Sequence, residues 1–75
     1  MPSVGHAMSH TLRDFLAKTE LSLSEARARV TAQKELFDRL EREGTESAVA
    51  AQMLRAFQGH HAMLQEHRDQ LLRLL

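Results

Sequence analysis

The chain has no cysteine, tryptophan or tyrosine, one proline and three glycines in 75 residues. Without cysteine there is no disulfide and no thiolate nucleophile. That matters in a chain this short, because below about 70–80 residues a lone core rarely supplies more than about 3–5 kcal/mol. Small proteins make up the shortfall with disulfides, a metal or self-association, and only the last two remain. The single proline is Pro2, so nothing later in the chain forbids helix. Aromatic residues are limited to three phenylalanines, and valine occurs only at positions 4, 30 and 49. What is left is rich in Leu, Ala, Glu and Arg, which are the residues of long helices.

An excess of charge of either sign is also missing. Residues 1–44 carry seven basic and seven acidic side chains, and residues 45–75 carry three of each. A nucleic-acid binder is expected to show a basic stripe that neutralises phosphates, so no nucleic-acid partner is expected. The same balance disfavours an acidic membrane surface. No apolar run reaches the ~20 residues needed to span a bilayer. MPSVGHAMSH lacks the basic start and apolar stretch of a signal peptide. The expectation is a cytoplasmic protein with no membrane partner.

The strongest punctuation is Gly44, in EREGTES. Glycine is favoured just past a helix end because it takes the left-handed conformation without a Cβ penalty. Thr45 or Ser47 can then cap a following helix, with Glu46 in its first turn. At the other end, Thr11 followed by Asp14 resembles a capping box, with Ser9 as a competing cap. This predicts a flexible segment over 1–9, a first helix over about 10–43, a turn at 44–45 and a second helix over about 46–74. Ser22-Leu23-Ser24-Glu25 could restart the first helix after a kink, although the periodicity runs through it.

That periodicity carries the fold prediction. Leu16, Leu23, Val30 and Phe37 recur every seven residues, and Leu12, Thr19, Ala26, Gln33 and Leu40 form a second sevenfold row. In the second helix Ala50, Phe57, Leu64 and Leu71 make one row, and Met53, His60, His67 and Leu74 are assigned as the other. These are heptad core positions, and they predict an all-α fold: an antiparallel, coiled-coil-like two-helix hairpin. Acid-to-base pairs four apart decorate the other faces: Asp14–Lys18, Glu25–Arg29, Glu35–Arg39, Asp38–Arg42 and Asp69–Arg73. Further apolar residues (Phe15, Leu36, Val49, Ala56, Met63) widen the stripe, and residues 47–65 contain one formal charge, Arg55. Two helices cannot cover that much apolar surface, so a homodimer forming a four-helix bundle is expected. A monomer offering the patch to an unidentified protein partner is the other possibility.

Three of the five histidines fall in QGHHAMLQEH, residues 58–67. His60 and His67 are seven residues apart, about 10.5 Å along a helix, too far to share one ion at ~2.1 Å. His60, His61 and His67 have no ligand partner three or four residues away, and no HExxH or ExxH motif occurs. His6 and His10 have helical i,i+4 spacing but fall in the segment expected to be flexible. His6, His10, His60 and His67 are therefore weak metal candidates, and neither a metal nor another cofactor is expected. The favoured reading makes Gln33/His60 and Thr19/His67 polar layers that align the hairpin. Buried imidazoles would make stability fall on acidification.

No Gly-x-Ser-x-Gly elbow or phosphate cradle is present, and the serines sit at helix ends or at Ser22 and Ser24, so an enzyme is not expected. Leu71-Leu72-Arg73-Leu74-Leu75 matches the LxxLL docking pattern, but Leu71 and Leu74 are expected to finish the core rows. The series Ala26-Arg27, Val30, Gln33-Lys34-Glu35, Leu40 to Gly44, Met53-Leu54, Phe57 and His67 to Leu72 resembles a group of short, uncharacterised helical-hairpin proteins of soil and plant-associated alphaproteobacteria. The likeness covers about residues 23–75. Members of that group often carry His or Asp in the turn after the glycine, where this chain has Thr45-Glu46. The group has no assigned reaction, so the resemblance implies a free-standing helical hairpin. The functional expectation is a non-enzymatic interaction or structural module. The alternative is a regulatory switch or metal- or ligand-binding bundle built on His60 and His67.

Overall fold

The computed structural model describes the backbone from Val4 to Leu75 and side chains from Thr11 onward. Two helices, α1 (Val4–Arg42) and α2 (Ala48–Leu74), form an antiparallel hairpin. With 39 and 27 residues, they span roughly 58 and 40 Å at ~1.5 Å per residue. The resulting rod measures 65 × 14 × 13 Å. α1 is continuous through Ser22-Leu23-Ser24-Glu25.

The start of α1 differs from the expectation of a flexible 1–9 segment. The helix begins at Val4 and runs through Ser9 and Thr11, the two candidate caps. Propagating an existing helix adds one hydrogen bond per residue fixed, and nothing between Val4 and Thr11 removes a backbone donor. A capping-box pattern marks where a helix can start, not where it must.

At the other end, α1 stops as its glycine dictates. Gly44 has φ 67°, the left-handed region that favours glycine. The Thr45 N–H donates to the Leu40 carbonyl (3.0 Å) and the Gly44 N–H to the Glu41 carbonyl (3.2 Å). This is the paired bonding of a Schellman motif, and it satisfies carbonyls that a bare helix end would leave open. Arg39 and Arg42 in the last turn add favourable charge at the negative end of the helix dipole.

The connection then runs longer than the expected two-residue turn, with α2 starting at Ala48. Ser47 occupies the N-cap position, but its side chain does not cap. Its hydroxyl instead donates to the Glu41 carboxylate (2.6 Å), tying the start of α2 to the end of α1. The Glu46 carboxylate accepts the Ala48 N–H (3.0 Å) in its place.

Between the helices lies a thin, single-layer core. Among the described residues the buried set is Leu23, Ala26, Ala50 and Leu71, with Thr19 and Gln33 as its polar members. Leu12, Leu16, Val30, Phe37, Leu40, Phe57 and Leu64 extend these rows as half-buried side chains. Ala26 and Ala50 are the small members of this core, one from each helix, where the backbones can approach closely.

Candidate functional site

The surface most able to carry function lies on α2, and it comes from a correction. The second core row expected there was Met53, His60, His67 and Leu74. All four are exposed. The residues that accompany Ala50, Phe57, Leu64 and Leu71 at the hairpin seam are Ser47, Leu54, His61 and Arg68. From the shared row, a companion row can lie three residues on or four residues on, and both choices satisfy a heptad. The chain packs on the four-on row. Arg68 is tolerated there because its stem is partly covered while its guanidinium reaches Asp69 (3.3 Å).

The polar layers change accordingly. Gln33 is buried, but His60 is not its partner. Its Nε2 donates to the Ala50 carbonyl (3.1 Å), the one side-chain hydrogen bond between α1 and α2 helical residues among those described. His60 lies ten residues beyond Ala50, about 15 Å along α2. Thr19 is buried as well, but His67 is exposed, so the two do not form a buried layer. Acid sensitivity arising from burial of His60 and His67 in the hairpin therefore loses its premise.

His61 is the residue the sequence reading missed. It belongs to neither expected core row, yet it sits in the seam with its Nε2 shielded from solvent and without a hydrogen-bond partner. The signal that could have found it is the run Ser47, Leu54, His61, Arg68, Leu75, an equally regular sevenfold row.

His60 and His67 face solvent together on one side of α2, about 10.5 Å apart along the axis, and His61 faces α1. His6 and His10 lie outside the described side chains. Among the described residues no three His, Asp or Glu side chains are grouped so as to hold a metal ion.

The four exposed residues belong to a longer pattern. Val49, Met53, Ala56, His60, Met63, His67, Gln70 and Leu74 alternate by four and three and carry no formal charge. They form a second heptad stripe on α2, about 100° around the helix from the first. Val49, Met53, Met63 and Leu74 are among the largest exposed apolar side chains of the molecule. Phe15 is exposed and Leu36 half-buried on α1. Leu71 is buried while Leu74 is open, so only the first of the two ends a row of the hairpin core.

Charged side chains lie elsewhere. Lys34 bonds Asp38 (3.0 Å), so Asp38 pairs backward to Lys34 and not forward to Arg42. No helix among the described residues is long and apolar enough to cross a membrane. No family model matches the chain, and comparison with curated proteins and with solved structures gives no match.

Proposed function

We propose that this chain is a non-enzymatic structural or interaction module whose working unit is a homodimer of hairpins. The observation that supports it is a surplus of surface. The hairpin exposes 5755 Å². A compact monomer of 8.5 kDa is expected to expose about 4,650 Å². Part of that surplus belongs to the shape of a 65 Å rod, and a standard interface would cover roughly 800 Å² of it on each partner. The uncharged stripe on α2 is the part of that surface that water solvates worst.

The test is native mass spectrometry at neutral pH on untagged protein. The expected mass is twice 8.5 kDa, without added ligand. A species at the chain mass alone across micromolar concentrations overturns the homodimer.

A further inference from the structure

We infer that the outer stripe of α2 is the dimer interface, and that α2 packs antiparallel against α2 of a second copy. The inference rests on the homodimer reading and specifies its surface and direction.

Three observations carry it. The stripe is a complete heptad seam from Val49 to Leu74, nearly the full length of α2, yet every residue of it is exposed. A seam of that kind is built to receive another helix. Second, the seam complements itself in one direction. In antiparallel two-fold pairing Val49 meets the partner's Leu74, Met53 the partner's Gln70, Ala56 the partner's His67 and His60 the partner's Met63. The small Ala56 then faces the large His67 twice. Parallel pairing would set Ala56 against Ala56 and His60 against His60, leaving a hole in one layer and two imidazoles crowded in another.

Third, Gly59 lies on the flank of this seam, and a Cβ built there meets nothing within 4 Å. A mid-helix glycine costs about 1 kcal/mol relative to alanine, and the hairpin gives no packing reason for it. In the antiparallel register Gly59 faces the partner's Glu66, where a missing side chain allows close approach. Sliding the pair by one heptad so that Gly59 meets Arg73 brings the two Glu66 carboxylates face to face, which disfavours that register.

Because the chain has no cysteine, disulfide trapping can test this directly. Ala56→Cys and His67→Cys are introduced singly and together, and each protein is oxidised. Within one helix the two positions are eleven residues, or about 16 Å, apart, beyond the ~7 Å that a disulfide tolerates. The expected result is a reducible covalent dimer from the double variant and little from either single one. If a single variant crosslinks as fully as the double, the helices pair in parallel and the inference is overturned. If the unsubstituted protein is a dimer by mass but no variant crosslinks, another surface is used and the homodimer alone survives. If the unsubstituted protein is a monomer, both fall.

A second variant reads the same surface without chemistry. Met63→Glu puts a charge at the centre of the seam on an exposed position and leaves the hairpin core intact. It is expected to weaken the dimer more than tenfold while the helical circular dichroism of the hairpin is kept. An unchanged dimer overturns the interface.

Discussion

Leu71 and Leu74 stand one turn apart on α2, one 8% exposed and the other 66%. Each ends a heptad stripe, and both stripes are mainly apolar with histidine among them, although only the inner one holds a charged residue, Arg68. What separates them is the neighbour. The inner stripe meets α1, with Gln33 bonding the Ala50 carbonyl across the seam. The outer stripe is exposed along its whole length. Identity of side chain therefore says little about burial here, and the hairpin's own register, set at Gly44 and by the Gln33–Ala50 bond, decides which stripe is covered. The same helix can support a fold with one face and an assembly with another.

The sharpest way to break that comparison is to truncate both ends. Leu71→Ala should cost the hairpin about 2–3 kcal/mol, read as a lower unfolding midpoint in denaturant, whereas Leu74→Ala should cost under about 0.5 kcal/mol in dilute protein. Equal losses would mean that both stripes are buried in the monomer. Next in size is His61→Leu, which removes a buried ring nitrogen without a partner. The variant should gain about 1–2 kcal/mol, and a loss would show that the nitrogen is satisfied.

The two glycines offer a contrast of sign. Gly44→Ala should lower stability by about 1 kcal/mol, because alanine pays for a left-handed φ. Gly59→Ala should raise it by up to about 1 kcal/mol in dilute protein, and the gain should shrink at concentrations where α2 meets a second copy. A small loss is also expected for Ser47→Ala, about 0.5 kcal/mol from the lost Ser47–Glu41 bond at an exposed site.

Much of the fold was legible beforehand, and the reasons differ by element. Gly44 marked the end of α1 because few other residues adopt that backbone cheaply. Both rows of α1 were readable because charged residues such as Lys18, Glu20, Arg27 and Arg29 leave one face for them. On α2 the long uncharged stretch removed that guide. Met53 and Leu54 are equally apolar, His60 and His61 are the same residue, and only Arg68 argued against the row that the chain uses. A charged residue can occupy a seam when its stem packs and its tip escapes, which composition does not reveal. The start of α1 was misplaced for another reason, since capping residues permit an end without imposing one.

The hydrogen bonds at the turn also bear on how quickly the chain finds its fold. Thr45 to Leu40 and Ser47 to Glu41 close loops of a few residues, whereas bringing Leu71 alongside Leu16 directly means closing one of more than fifty. Entropy favours the short closures first, so the helices should zip from Gly44 outward, each layer shortening the search for the next. Gly44→Ala should then chiefly slow folding, and Leu71→Ala should chiefly hasten unfolding, a division that stopped-flow kinetics would show in the two arms of the chevron.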